Sequence, residues 1–183
     1  MKKILFLILA AAALKASPAN AGPVAYIGLY TDAIHSVYVR YIPEPYVQYT
    51  TWVWILPGDN GMMCAEFKLV QPSWNLCISS TPNPLNSIIL GAPYADDGVT
   101  FCFDACQSGW VWLYQLGQLP TLANIIDCIY IVDHPEAGAC QVAECTPGYP
   151  VAPLIKLNYL YLNETPGTNE DASWGAIKGI CDN

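Results

Sequence analysis

The fairly even spacing of turn-forming residues along the sequence limits the length of each regular element. Clusters such as Pro57-Gly58-Asp59-Asn60-Gly61 and Thr146-Pro147-Gly148 recur at short intervals, and Gly and Pro end regular structure because they impose special backbone angles. The runs between clusters are rich in Val, Ile, Tyr, Trp and Thr, which favour pleated strands. The pattern predicts about nine strands: Val24–Tyr30, Ser36–Ile42, Tyr46–Leu56, Met62–Val70, Trp74–Ser79, Val99–Asp104, Trp110–Leu116, Ile125–Val132 and Leu154–Leu162.

Alternation of apolar and polar side chains is clearest between positions 63 and 69. Met63, Ala65, Phe67 and Leu69 share one face of the predicted strand, as expected of a half-buried strand. Many short strands at this spacing are typical of a sandwich or barrel. We therefore predict an all-β fold, an Ig-like or jelly-roll β-sandwich. The one helical expectation is a short C-terminal turn capped by Ser173.

The first residues have the pattern of an export signal. Lys2 and Lys3 precede an apolar run, and Ala19-Asn20-Ala21 supplies the small-x-small motif that signal peptidase recognises. The apolar run of roughly ten residues is too short for a span, which needs about 20. The sequence predicts a signal peptide over 1–21, cleavage before Gly22 and a single domain over 22–183. The expected location is bacterial, either periplasmic or extracellular, without membrane insertion after cleavage.

The charge balance limits the class of partner. Removal of Lys2, Lys3 and Lys15 with the signal leaves four basic residues against 15 acidic residues, a net charge of −11. Nucleic acids and anionic lipid surfaces bind clusters of Lys and Arg, so neither is an expected partner. Protein or glycan at a cell surface is the expected partner.

All eight cysteines follow the predicted signal peptide, and an even number in an exported chain indicates disulfides. Eight cysteines allow 105 pairings, and the sequence does not select among them. Zinc is not expected because the sequence contains no Cys-x-x-Cys. No cofactor is predicted. The cysteines are Cys64, Cys77, Cys102, Cys106, Cys128, Cys140, Cys145 and Cys181.

Catalytic motifs are not evident. His35 and His134 both lie in turn-like segments, which predicts surface histidines, and a Gly-x-Ser-x-Gly elbow does not occur. The adjacent acids Asp96-Asp97 and Glu170-Asp171 also border turns, where Asp is common. One acidic loop offers oxygen ligands suited to calcium, although the spacing differs from an EF-hand. These weak calcium candidates are Asn163, Glu164, Asn169, Glu170 and Asp171.

Four tryptophans form two pairs with the spacing of a strand face. Trp52 and Trp54 are two positions apart, as are Trp110 and Trp112, so each pair projects from one side of its strand. Adjacent strands would place the indoles on a flat surface suited to sugar rings. The alternative is that they fill the core, since aromatic residues dominate core packing. Apolar neighbours of the opposite parity leave both alternatives open.

Several short segments resemble known proteins. Tyr26–Asp32, Gly98-Val99-Thr100-Phe101, Ala105-Cys106-Gln107-Ser108 and Ser173–Lys178 resemble segments of a group of uncharacterised secreted bacterial proteins. Such proteins often have an apolar-aromatic end after the final lysine, where this chain has Gly179-Ile180-Cys181. The resemblance suggests a disulfide from Cys181 to the body of the domain. It implies no activity.

A second resemblance concerns the fold. Ala65-Glu66-Phe67, together with the later Pro72 and Trp74, resembles strands of cohesin-type and other Ig-like sandwiches. The leading expectation for function is a non-catalytic secreted or cell-surface interaction or structural module. The alternatives are a carbohydrate-binding module that uses Trp52, Trp54, Trp110 and Trp112, and, third, a secreted hydrolase.

Overall fold

The computed structural model describes residues 24–163. The regular secondary structure in this range consists of β-strands. No helix in this range could cross a membrane. The predicted signal peptide and the helical turn at Ser173 lie outside the described residues. The strands are β1 (Ala25–Tyr30), β2 (Val39–Arg40), β3 (Tyr49–Leu56), β4 (Met62–Val70), β5 (Asn75–Pro82), β6 (Asn86–Gly91), β7 (Val99–Gln107), β8 (Val111–Pro120), β9 (Asp127–Val132), β10 (Gln141–Ala143), β11 (Val151–Lys156) and β12 (Leu160–Leu162).

The all-β prediction is confirmed, with twelve strands in the described range in place of about nine. Strands β6 and β10 were not predicted. The predicted strand Leu154–Leu162 is divided into β11 and β12 by a polar contact. Between them, the side-chain amide of Asn158 accepts a hydrogen bond from the Leu29 backbone nitrogen (2.8 Å) and donates one to the Leu29 carbonyl (3.0 Å).

The strands form a sandwich of two layers, and hydrogen bonding between strands is continuous from one layer to the other. One layer has the order β11-β1-β3-β8-β5, in which β1 and β11 are parallel. In the other layer β4 pairs with β7 on one side and with β10 and β9 on the other, and β6 pairs with β7. β9 continues through β12 to β2. Strands β5 and β6, consecutive in sequence, therefore end the two layers.

The core lies between the inward faces of the two layers. On β3, Val53 and Ile55 are fully buried, while Trp52 and Trp54, which alternate with them, are half-buried. Phe101 of β7 and Tyr114 of β8 meet across the core with ring centroids 5.4 Å apart. Burial of such side chains contributes about 1.5–3 kcal/mol each, which makes this interior the main source of stability.

The alternation predicted around Met63 is correct for three of its four residues. Ala65, Phe67 and Leu69 are buried, as expected, but Met63 is only half-buried and Met62 is fully buried instead. The register of β4 against β7 shifts between Met62 and Cys64. A bulge of this kind inserts an extra residue and reverses the side that each preceding residue faces.

A chain of buried polar side chains crosses the interior near one end of the sandwich. The Tyr49 hydroxyl donates to the Asn75 side-chain oxygen (3.0 Å), and the Asn75 amide donates to the Gln118 side-chain oxygen (3.1 Å). The Gln118 amide donates in turn to the Tyr94 hydroxyl (2.8 Å). Burial raises the pKa of both tyrosines. Satisfied networks of this kind fix the positions of their members.

Two disulfides hold strand β7. Cys64–Cys102 joins directly opposite residues of β4 and β7, and Cys106–Cys145 joins the end of β7 to the segment after β10. Cys128 is also disulfide-bonded. The expectation of disulfides is confirmed for these cysteines. The suggested bond from Cys181 lies outside the described residues.

The expectation that every cysteine is paired is wrong at two positions, because Cys77 and Cys140 are free thiols. The Cys77 thiol donates to the Ser79 carbonyl, and the Cys140 thiol donates to the Val132 carbonyl at 3.0 Å. Burial raises the pKa of Cys77 and raises that of Cys140 to about 12. A raised pKa keeps each sulfur in the thiol form, which is the poorer nucleophile.

Candidate functional site

The four predicted tryptophans converge on the outward side of one layer. Their neighbours Val53, Ile55, Val111 and Leu113 face the core, so the indoles face outward. Strands β3 and β8 are adjacent, and Trp54 lies directly opposite Trp112. We call this surface the aromatic face and define it by Tyr30, His35, Trp52, Trp54, Trp110 and Trp112.

The aromatic face is not the flat surface that the sequence suggested. Trp52 and Trp112 meet at 89° with centroids 5.4 Å apart, so the edge of one indole points at the ring of the other. Trp52, Trp54 and Trp112 are half-buried, and Trp110 is 36% exposed. Edge-to-face packing of this kind is favourable for the protein itself. It also reduces the ring surface available for stacking against a sugar.

A loop between β1 and β2 covers part of the aromatic face. The Asp32 carboxylate accepts hydrogen bonds from the backbone nitrogens of Ser36 (2.9 Å) and Val37 (3.0 Å) and from the Ser36 hydroxyl. This turn holds His35 at φ 50°, a left-handed conformation uncommon outside glycine. The imidazole of His35 then stacks on Trp110 at 4.3 Å and lies 4.9 Å from the ring of Trp54.

A second surface feature is the pair of strands that end the two layers. Residues 69–95, which include both strands, contain no Asp, Glu, Lys, Arg or His. β5 pairs only with β8, and β6 pairs only with β7, among the described strands. We call β5, β6 and the connecting residues 83–85 the uncharged edge. Sequence reasoning missed it, although the absence of charge was visible.

The uncharged edge exposes large apolar side chains along its length. Ile88 and Leu90 of β6 are 55% and 62% exposed, and Leu85 in the connection is 53% exposed. Leu76 and Ile78 of β5 are 44% and 49% exposed. The connection itself is fixed, because the Asn83 side chain donates to the Trp112 carbonyl (2.7 Å) and accepts from the Leu85 nitrogen. Rigid, apolar strand edges are therefore presented to solvent.

The prediction of two surface histidines is wrong. His134 lies in a turn but is only 6% exposed, because it packs close to Gly98. His35 is half-buried beside the tryptophans. A cavity of about 80 Å³ near His134 is also lined by Asp97 and Glu136. It is much smaller than the roughly 300–1,000 Å³ typical of ligand pockets.

Of the weak calcium candidates, only Asn163 lies within the described residues. Its side-chain oxygen accepts a hydrogen bond from the Ile42 nitrogen (2.6 Å), and its amide donates to the Ile125 carbonyl (2.8 Å). Asn163 thus joins two loops. Glu164, Asn169, Glu170 and Asp171 lie outside the described residues. Within residues 24–163, no group of three or more His, Cys, Asp or Glu side chains could hold a metal ion.

Comparison of the fold with solved structures identifies cohesin domains. A type I cohesin in a cohesin–dockerin complex from Clostridium thermocellum is 8% identical with a TM-score of 0.53, over 80% of this chain and 97% of that chain. A type I cohesin from Pseudobacteroides cellulosolvens is 8% identical with a TM-score of 0.51, over 82% and 99% of the two chains.

A third similar structure is the sixth cohesin of scaffoldin B from Acetivibrio cellulolyticus, in complex with a dockerin. It is 14% identical with a TM-score of 0.51, over 78% of this chain and 99% of that chain. No protein-family model matches this sequence, and no curated protein is similar to it. The chain therefore has a cohesin-like β-sandwich fold, as shown by structure and not by sequence identity.

Proposed function

We propose that this protein is a non-catalytic, exported interaction module that binds an extended segment of a protein partner at the uncharged edge. The observation that carries the proposal is the coincidence, in β5 and β6, of free strand edges, exposed apolar side chains and absence of charge. An extended partner segment could continue either layer by adding one more strand.

The physical argument begins with the cost of a free strand edge. Such an edge presents backbone donors and acceptors that can pair with another chain, and proteins usually block it with charged residues, especially lysine. Neither β5 nor β6 contains a charge, and Ile88 and Leu90 on β6 add apolar area. Strand addition at an exposed edge is an established mode of peptide recognition, in which backbone bonds give affinity and side-chain pockets give specificity.

Two further findings are consistent with this proposal. The similar cohesins from Clostridium thermocellum and Acetivibrio cellulolyticus are in complex with dockerins, so those two proteins bind protein partners. The disulfides Cys64–Cys102 and Cys106–Cys145 favour an oxidising compartment, as the predicted export signal also does. We also propose that the protein is periplasmic or extracellular, and that it is either held at a bacterial surface or released from it.

Photo-cross-linking in the producing cell tests the edge directly. Ile88 is replaced by the photoreactive amino acid benzoylphenylalanine, and a second protein carries the same group at Ile155. Ile155 is a suitable control because it is 44% exposed but lies on β11, at the opposite end of the layer from β5. We expect a discrete adduct from position 88 and none of the same mass from position 155.

Competition by purified protein distinguishes edge recognition from chance capture. Excess unlabelled protein should abolish the adduct, whereas the double variant Ile88→Lys/Leu90→Lys should not, because lysines on a strand edge oppose pairing. Both side chains are exposed, so the variant should retain its fold. Equal competition by the variant, or equal adducts from both positions, would contradict the proposal.

A carbohydrate-binding function remains a second candidate because the partly exposed Trp110 lies beside Tyr30 and His35, with the Tyr30 and Trp110 rings 6.4 Å apart. Titration with soluble cello-, xylo- and chito-oligosaccharides, followed by tryptophan fluorescence, separates the candidates. If the protein is an interaction module, the oligosaccharides should leave the tryptophan emission unchanged, since Trp52 and Trp112 already pack against each other. Saturable quenching that is lost in Trp110→Ala would favour the glycan function instead.

A further inference from the structure

The single arginine of the sequence lies in a pocket that neither the aromatic face nor the uncharged edge includes. The pocket has a volume of about 320 Å³, at the lower end of the range for small-ligand sites. Most of its lining is apolar or aromatic, and it contains one positive and one negative side chain. The lining residues are Arg40, Tyr41, Ile42, Pro43, Glu44, Val47 and Tyr49.

Arg40 differs from the other cations of the described residues in having no carboxylate partner. Lys68 is 3.7 Å from Asp96, and Lys156 is 2.8 Å from Asp133, whereas Arg40 forms no ion pair within residues 24–163. Its Nε is buried and has no hydrogen-bond partner among the described residues. No carboxylate of the described residues therefore neutralises the charge of the Arg40 guanidinium, which leaves it available to an anionic ligand.

The ring of Tyr49 and the backbone of Arg40 hold the guanidinium in place. It lies over the ring of Tyr49, 5.3 Å from the centroid, in a cation–π arrangement. The Tyr49 hydroxyl is the first donor of the buried network through Asn75 to Gln118, so the ring is fixed. The backbone beside Arg40 is fixed as well, since its carbonyl accepts from the Asn163 nitrogen at 2.8 Å. The guanidinium is therefore preorganised for a planar anion.

We infer that this pocket binds a monoanionic carboxylate attached to an apolar side chain, either a free acid or the C-terminal residue of a peptide. Arginine matches a carboxylate with two parallel hydrogen bonds. Ile42, Val47 and the Tyr49 ring would contact the apolar group. One arginine accompanied by Glu44 provides too little positive charge for a phosphate dianion. This inference does not depend on the uncharged edge.

Calorimetric titration with matched probes tests the inference. N-acetyl-phenylalanine carries the carboxylate, and N-acetyl-phenylalaninamide has the same ring without the charge. We expect saturable binding of the acid at millimolar concentration or below, and at least about tenfold weaker binding of the amide, as expected for loss of a charged hydrogen bond. A tetrapeptide ending in phenylalanine distinguishes the sources: tighter binding than the single residue indicates a peptide terminus.

Variants locate the binding in the pocket. Arg40→Gln should reduce affinity for the acid at least about tenfold, and Arg40→Lys should reduce it less, because lysine keeps the charge without the planar fork. Glu44→Gln should strengthen binding by removing the like charge. Lys156→Gln, which removes a cation outside the pocket lining, is the control and should bind as the unaltered protein does.

The thermal midpoint of each variant reports whether it remains folded. If Arg40→Gln fails to fold, Glu44→Gln and Val47→Asp test the same site. Both of these replaced side chains are exposed, so the variants should fold. Equal affinity for the acid and the amide, absence of saturation up to the solubility limit of the acid, or unchanged affinity after Arg40→Gln would each overturn the inference.

Discussion

The imidazole of His35 lies against the indole of Trp110, with ring centroids 4.3 Å apart and an angle of 21° between the planes. His35 approaches from a loop, whereas Trp110 immediately precedes strand β8. His35 covers part of one face of the Trp110 indole, which is 36% exposed. A residue of the loop therefore shields part of the indole from solvent, an effect that the strand pattern does not show.

Replacing His35 should uncover Trp110. We expect His35→Ala to increase iodide quenching of tryptophan fluorescence and to lower the free energy of unfolding by about 0.5–1.5 kcal/mol, the range for a lost aromatic pair. Asp32→Ala should act in the same direction because Asp32 holds the loop. Ile34→Ala is the control, since Ile34 is 71% exposed. Quenching that is unchanged in His35→Ala would show that the stacked pair does not protect Trp110.

The two free cysteines should differ in reactivity. At pH 8, iodoacetamide should modify Cys77 slowly and leave Cys140 unmodified in the native protein, because burial raises the pKa of Cys140 to about 12. Both thiols should react in guanidinium chloride, as measured by mass spectrometry of tryptic peptides. Cys77 is the matched comparison, since it is only half-buried. Detection of either residue in a disulfide in the native protein would contradict this prediction.

Gly61 should not tolerate a side chain. It has φ 67°, and a Cβ atom would overlap Cys106 Sγ and lie 3.1 Å from Cys145 Sγ. Gly61→Ala should lower the free energy of unfolding by about 1–2 kcal/mol from the left-handed backbone alone, plus the cost of displacing the disulfide.

Gly138→Ala separates these two contributions to the effect at Gly61. Gly138 has a similar φ of 69°, but a Cβ there would meet nothing within 4 Å. Its substitution should therefore show only the backbone cost in chemical denaturation. Equal destabilisation by Gly61→Ala and Gly138→Ala would mean that contact with the disulfide has no measurable effect.

The ion pair between Lys156 and Asp133 should give a small pH-dependent stability. The hydrogen bond from Lys156 lowers the pKa of the Asp133 carboxyl, so the folded state binds fewer protons there than the unfolded state. The contribution is present above the unfolded pKa of about 3.9 and is lost as the pH falls through the lower folded value.

Lys156→Gln should therefore cost a few tenths of a kcal/mol near neutral pH, because both side chains are partly exposed and solvent screens the pair. The unfolding curves of the variant and the unaltered protein should converge near pH 2. Urea denaturation at several pH values measures the difference. A cost that persists undiminished at low pH would exclude Asp133 as its source.

Local pattern was sufficient for most strands. The bounds of β4 are as predicted because alternation is a property of neighbouring residues, and the structure keeps it from Ala65 to Val70. The predicted strand Ser36–Ile42 is mostly loop, with only Val39–Arg40 in β2, because the Asp32 turn occupies the nitrogens of Ser36 and Val37. β10 has only three residues, too short for a recognisable pattern.

Turn chemistry, side-chain period and cysteine count are local properties, so the order of amino acids was enough to predict an all-β chain with disulfides and with tryptophans paired on strand faces. The outward orientation of the indoles could not be predicted in this way, since both sides of β3 are apolar and burial depends on which side meets the second layer. The position of β5 and β6 at the edges and the placing of Arg40 over Tyr49 also depend on contacts between distant segments. Those contacts arise from layer packing, which no local pattern specifies.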